Sequence, residues 1–381
     1  MNLSEALALL KTKLDKLSIN EDKGHLDHPE DLIFLGGSAG ATRALQSTIA
    51  TARNPKTVTI KWDGYPALIF GRDSNGKFSI MDKHMFNKKD GTGRQVFSPE
   101  QFVEYDKARG VDRASLWPII AEIWPGLAKA DRSKGYYWGD LLFHQPLKDQ
   151  NGSYVFKANP NGITYKVNVD SDIGKLIGGK RAGIAVHQYI APESPTTDQA
   201  TSLDGTIGQL QNNSDVAIVP SAMPTAPKIK VDSKLVKNVQ SAIQKYGPSV
   251  DNLMDTAPQA RNTFNQLFTV YINKKIVAGD LNNLASGFMD FVEARPMTDK
   301  MKAKIVEHLN QNKNAIIGAF TIWAEVYKLK MSIVNQLNKA AEVSPVKGYL
   351  QDGTETHEGF VANGLKFVDR MGFSRQNLAG R

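Results

Sequence analysis

The stretch Thr57-Val58-Thr59-Ile60-Lys61-Trp62-Asp63-Gly64-Tyr65-Pro66-Ala67-Leu68-Ile69-Phe70 decides the fold. Its two ends are β-branched and aromatic runs, and its middle carries the Asp-Gly and Pro of a tight turn. It therefore predicts strand, turn, strand rather than helix. The same pattern recurs at residues 78–81, 136–143, 153–157, 163–169 and 184–190, between Asp-Gly, Asn-Gly and Gly-rich turns. Short strands joined by short turns predict a mostly antiparallel sheet with a few helices, an α+β chain.

Outward from that sheet the period changes. Leu3, Ala6, Leu7, Leu10, Leu14 and Leu17 recur at helical spacing, and a second helix is expected from about Gly40 to Arg53. Residues 191–227 hold five prolines among Ser, Thr, Asp and Asn and read as an irregular connection, with one further strand at 215–219. From about Asp232 to Val343 the apolar period is helical, as in Ile316, Phe320, Trp323, Tyr327, Met331, Val334 and Leu337. Pro248, Pro258, Gly279 and Pro296 divide it into four or five helices, and Pro345 with Gly348 ends it. A hairpin at 356–369, turning on Asn363-Gly364, closes the pattern. The expected divisions are an N-terminal helical segment (1–55), a β-rich core (56–230), a helical insertion (231–345), and a C-terminal hairpin (346–381) that completes the core.

The chain has 381 residues, 41% of them hydrophobic, and a net charge of +8. This composition excludes a disordered or fibrous chain. The longest strongly apolar stretch, residues 315–324, is too short for a membrane span, and no secretory signal opens the sequence, so no membrane partner and a cytoplasmic location are expected. The absence of cysteine removes disulfides, thiolate metal sites and cysteine nucleophiles. The positive balance suits a polyanionic partner, though many plain enzymes carry as much.

Two segments carry candidate chemistry. Lys61 stands at a strand end beside the Asp63-Gly64 turn, where desolvation would lower its pKa and make the amine nucleophilic; the alternative is a solvent-facing lysine before a turn. His357-Glu358-Gly359-Phe360-Val361 places a carboxylate beside uncrowded backbone, an arrangement for a metal ion or nucleotide, or else a plain surface hairpin. Between them, Tyr137-Trp138-Gly139-Asp140-Leu141-Leu142 falls on an expected strand.

Taken together, these three segments resemble the covalent nucleotidyltransferase superfamily, the ATP-dependent DNA and RNA ligases and the mRNA capping enzymes. Lys61-x-Asp63-Gly64 is similar to that family's motif I, the Tyr137 to Leu142 run to motif III, and Glu358-Gly359-Phe360-Val361 to motif IV. The resemblance implies an antiparallel-sheet nucleotidyltransferase core of the ATP-grasp-like ligase kind, carrying a large all-helical insertion. It implies ATP and Mg²⁺, with Lys61 attacking the α-phosphate, Asp63 and Gly64 shaping the turn, Asp140 holding the ribose or metal, and Glu358 holding the metal. Arg72, Lys83 and Lys166 are candidate phosphate or ribose contacts. Lys366, eight residues after Glu358, is the lysine available for motif V. If it serves there, a three-residue Ala362-Asn363-Gly364 loop should put it on the face of Glu358, whereas a two-residue Asn363-Gly364 turn pairs Val361 with Lys366 and puts Lys366 and Glu358 on opposite faces. Pro66 stands where the ligases commonly have Arg or Asn.

The activity implied is ATP-dependent polynucleotide ligation of 5′-phosphate and 3′-hydroxyl ends through a lysyl-AMP intermediate. RNA is favoured, because only 12 residues follow the hairpin and leave no room for the C-terminal domain of DNA ligases. Compact ligases of this kind are familiar from tailed phages, and the resemblance implies a phage-encoded protein working in host cytoplasm. A DNA ligase whose insertion replaces that domain, and a noncatalytic nucleic-acid-binding scaffold, are the alternatives. From Asp232 to Pro345 there are 14 Lys and Arg against 10 Asp and Glu, which permits nucleic-acid contact. Lys83, His84, Lys88, Lys89 and Arg94 form a cationic loop suited to phosphates, or a solvated turn. Gly36-Gly37-Ser38-Ala39-Gly40 lacks the Gly-Lys-Ser/Thr of a phosphate loop and reads as a helix cap. His25-x-x-His28 has too few companions for a metal site, and the stripe of Trp323, Tyr327 and Met331 reads as core.

Overall fold

The computed structural model describes residues 27–374 apart from 56–57, 133, 160–161, 198–199, 202, 204–205, 220–227, 259–260, 342–344, 351–352 and 357–358. The helix expected over residues 3–17 lies outside these residues. The first half of the chain supplies α1 (Leu32–Arg53), β1 (Thr59–Ile60), β2 (Ala67–Arg72), β3 (Phe78–Met81), α2 (Lys83–Phe86), α3 (Pro99–Ala108) and α4 (Trp117–Ala130). Next come β4 (Gly135–Phe143), β5 (Ser153–Lys157), β6 (Thr164–Asn168), α5 (Asp172–Ile177), β7 (Ala182–Ile190) and β8 (Val216–Val219). The helical stretch is α6 (Ser233–Asp255), α7 (Arg261–Ala278), α8 (Leu284–Glu293), α9 (Asp299–Gln311) and α10 (Lys313–Ala341). It is followed by β9 (Val346–Tyr349), β10 (Glu355–Thr356), β11 (Phe360–Ala362) and β12 (Leu365–Phe367).

The strands form a five-stranded sheet in the order β3-β2-β4-β7-β8, a four-stranded sheet β10-β9-β6-β5, and a three-stranded sheet β1-β11-β12. All pairings are antiparallel except β7 with β8. The chain is thus α+β with mainly antiparallel sheets. The central strands of the five-stranded sheet are covered on both faces, which is why β2 and β4 read as continuous apolar runs rather than alternating ones. One layer of core sets Leu68, Phe70, Tyr137 and Ile184 against Ile120, Ile123 and Leu127 of α4. The other sets Leu142, Ala185 and Val219 against Tyr165 and Val167 of the four-stranded sheet.

The largest core unites α1, the helices α6 to α10 and the β11–β12 hairpin, so residues expected as a separate N-terminal segment share one interior with the helical stretch. Its sequence logic is visible in α1. Gly37, at φ 60° and ψ −145°, interrupts the helix, and Asp251 of α6 accepts both the Ser38 amide at 2.7 Å and its hydroxyl at 2.6 Å, capping the second half. The Gly-rich run is therefore a kink capped from another helix, and the helix begins at Leu32 rather than Gly40. The Trp323 and Tyr327 rings stack 5.2 Å apart on α10, a core arrangement as expected. Pro248 lies inside α6 and does not end it. Among the described residues no helix is long and apolar enough to cross a membrane.

Candidate functional site

Lys61 is placed by a strand that closes late in the chain. Thr59 pairs with Val361 and Ile60 with Phe360, and the Lys61 amide continues the ladder by donating to the Gly359 carbonyl at 3.0 Å. Successive residues of a strand face opposite ways. Phe360, Ala362, Leu365 and Phe367 point into the helical core, and Thr59, Val361, Lys366 and Lys61 share the other face. Trp62 then turns inward, 1% exposed, with its ring 4.8 Å from that of Tyr165. The Tyr165 hydroxyl accepts from the Asp63 amide at 2.6 Å. Lys61 is thus held between a sheet hydrogen bond and a buried indole. Burial pushes its pKa down to about 8; Asp63 opposes the shift, Lys366 adds to it and Asp140 opposes it.

The turn that follows is stacked on β4. A Cβ on Gly64 would lie 2.6 Å from the Asp140 Cβ, so only glycine lets the turn approach this closely. The Tyr65 amide donates to Leu141 O at 2.9 Å and the Leu141 amide to Pro66 O at 3.1 Å, extending the β2–β4 ladder in which Ala67 faces Asp140. The Tyr65-Pro66 bond is cis. Asp63 Oδ1 accepts from Asn159 at 3.2 Å, while its Oδ2 is buried with no partner among the described residues. A buried carboxylate oxygen left over in this way is a place for a ligand proton or a cation.

Asp140 is the one residue of β4 that is not buried. Its Oδ2 accepts from Nε2 of His187 at 2.9 Å. The register between β4 and β7 slips here: Trp138 faces Gln188 and Gly139 faces Val186, which leaves His187 as the extra residue of a β-bulge. The bulge turns a side chain of β7 onto the carboxylate. Reasoning from sequence missed His187; its trace is a polar break, His187-Gln188, inside an otherwise apolar run. Trp138, two residues before Asp140 and so on the same face, carries the Lys83 ammonium 5.5 Å above its ring.

Lys61, Asp63, Gly64 and Asp140 are therefore brought together, with Lys366 on the face of Lys61 and Lys83 over the Trp138 ring of the strand that carries Asp140. Other candidates are not. Arg72 sits at the far end of β2, opposite Gly135, and donates to the carbonyls of Gly76, Ala128 and Asp131. Lys166 points to solvent from β6, on the face opposite Tyr165. In the cationic loop, Arg94 is spent on the carbonyls of Ser194 and Pro195, and Lys88 on Thr92 and Asp90. The Asn363-Gly364 turn has two residues, pairing Val361 with Lys366, so the three-residue loop expected of a motif V lysine is not what forms. Glu358 lies outside the described residues.

Among the described residues no group of three or more His, Asp or Glu is placed to hold a metal ion. No curated protein and no solved structure matches the chain. One family model matches, over residues 22–381, and its span takes in every element described above, including the strand of Lys61 and the hairpin that closes on it. On that match the chain belongs to DUF6267, a family of unknown function.

Proposed function

We propose that the protein is an ATP-dependent polynucleotide ligase that works through a Lys61–AMP intermediate, with RNA as the favoured substrate on the family resemblance and DNA as the alternative. The observation that carries this reading is the setting of Lys61: an amine with its pKa lowered to about 8, held on one face with Lys366 and facing Asp63 and Asp140. An amine must be neutral to attack, and at pH 7 an ordinary surface lysine almost never is. In the proposed step the Lys61 nitrogen forms a bond to the α-phosphorus of ATP, the bond to pyrophosphate breaks, and the amine proton leaves to water. Lys366 would face the phosphates, and Asp140 the ribose. The enzyme would then pass AMP to a 5′-phosphate end, which a 3′-hydroxyl attacks.

Mg²⁺ is usually held by one or two carboxylates plus substrate phosphates rather than by a full protein cage. The buried, unpartnered Asp63 Oδ2 fits that demand, and the ion would supply charge neutralisation at the phosphates. The tight Asn363-Gly364 turn favours a second reading, a nucleotide-binding protein of the same design without turnover. Incubation with Mg²⁺ and ATP labelled in the α-phosphate, followed by denaturing electrophoresis, separates the two. A labelled band that vanishes in Lys61→Ala is the expected result. Absence of label in protein free of bound adenylate would leave only the second reading.

A further inference from the structure

The pairing of His187 with Asp140 is accounted for neither by the core nor by the chemistry assigned to Lys61. A β-bulge is an irregularity in a ladder, and this one, opposite the Trp138–Gly139 step, immediately precedes Asp140, the one residue of its strand that is not buried. It serves to swing an imidazole onto a carboxylate. Both side chains remain partly open, 28% for His187 and 22% for Asp140, so the pair borders solvent and is not sealed into the interior. The bond engages Oδ2 only. A carboxylate tied through one oxygen has its plane fixed and its second oxygen left in a defined direction.

We infer that His187 is a positioning residue that aims Asp140 Oδ1 at the ribose of the bound nucleotide and so makes the site select ribonucleotides over 2′-deoxyribonucleotides. This rests on the reading of the Lys61 site as a nucleotide site. An aspartate that accepts from a ribose hydroxyl discriminates only if it cannot swing away when that hydroxyl is missing; held by His187, it leaves the analogue with an unanswered carboxylate oxygen. Gly64 packs against the Asp140 Cβ, so the stem of the same side chain is held close to the turn that follows Lys61.

The test measures binding of ATP and of 2′-deoxy-ATP by calorimetry, and lysine labelling with each, for wild type, His187→Ala and His187→Asn. Thermal melting confirms that each variant is folded, and the partly exposed position of His187 makes this outcome expected. Wild type should prefer ATP by about ten- to a hundred-fold, the factor for one hydrogen bond to a charged group. His187→Ala should bring that ratio close to one, mainly through weaker ATP binding, and His187→Asn, which keeps an N–H donor, should recover part of it. A ratio unchanged in His187→Ala overturns the inference while leaving adenylation intact. A wild type that binds ATP selectively, through His187, yet never labels Lys61 keeps the inference and removes the ligase reading. No nucleotide binding at all removes both.

Discussion

At the scale of single residues, the site is a problem of which groups hold protons. Burial pushes the Lys61 pKa down to about 8, so the neutral amine that the proposed adenylation requires grows as pH rises through 8. Single-turnover labelling at saturating ATP should therefore increase up to about pH 9 and then level. Lys366→Met removes a cation facing Lys61, which raises the Lys61 pKa and should move that midpoint upward; an unmoved midpoint would show that Lys366 has no part in setting it. Asp27 has the opposite character. Burial first, then Asp31, raise its pKa to about 6 against the pull of Lys366 and Arg43. Its folded value lies above its unfolded one, so its contribution to stability is whole below pH 3.8 and is lost as pH rises through 6. Asp27→Asn should accordingly stabilise the protein by about 2–3 kcal/mol at pH 8, with the gain shrinking as pH falls toward 4, measured by urea unfolding at several pH values. Lys61, Asp63 and Asp140 were legible in sequence because strand ends and turns reveal themselves locally. His187 was not, because a bulge is set by the register of two strands 47 residues apart in chain position, and neither strand alone encodes it. Arg72 and Lys166 look equally cationic in the sequence, and only the carbonyls around one and the strand alternation of the other tell them apart from Lys61.

At the scale of elements, the strands were largely readable and the exceptions have physical causes. Residues 78–81 and 153–157 form strands at the expected bounds, because each is a β-branched or aromatic run closed by turn residues. Pro345 and Gly348 mark the end of the helical stretch and give no strand signal, yet Val346–Tyr349 forms a strand that pairs with β6, Gly348 lying opposite Tyr165. Pro248 misled in the other direction. It sits within α6 next to Gly247, where a Cβ would come within 2.9 Å of Ser38, so this turn of the helix is shaped for contact with α1 and does not end. The Asn363-Gly364 turn was the most readable feature of all: both residues have positive φ, 50° and 70°, as the hairpin geometry demands. Gly364 has open space around its Cα, so Gly364→Ala should cost about 1 kcal/mol from backbone strain alone, a loss that chemical denaturation resolves. Asn363 also ties the turn to α1, donating to Ser47 O and to the Thr51 hydroxyl.

At the scale of the whole molecule, three distant parts of the chain meet in a buried charge network. Lys330 of α10 lies 2.7 Å from Glu30, both side chains fully buried, and Arg370 beyond β12 reaches Asp31 at 2.8 Å and Asn273 of α7 at 2.7 Å. Trp323 donates to the same Asp31 at 2.8 Å. Burial pushes the Lys330 pKa down, with Glu30 opposing the shift and Arg370 adding to it. Lys330→Met should therefore cost about 3–5 kcal/mol, because it strands Glu30 in the core, while Glu30→Met combined with Lys330→Met should recover most of the loss; a thermal or denaturant series checks the pair. That connectivity was invisible in sequence, where residues 1–55 and 231–345 look like separate divisions and nothing marks Glu30 as the partner of a lysine 300 positions away. The β1–β11 pairing has a further consequence, in time rather than in space. Thr59 and Val361 stand 302 residues apart. At ribosomal rates of about 5–20 residues per second, the strand presenting Lys61 waits roughly 15–60 seconds for its partner to be made. A nascent chain therefore carries Lys61 with the ladder beside it still open, and the setting of that side chain is complete only once β11 has been made.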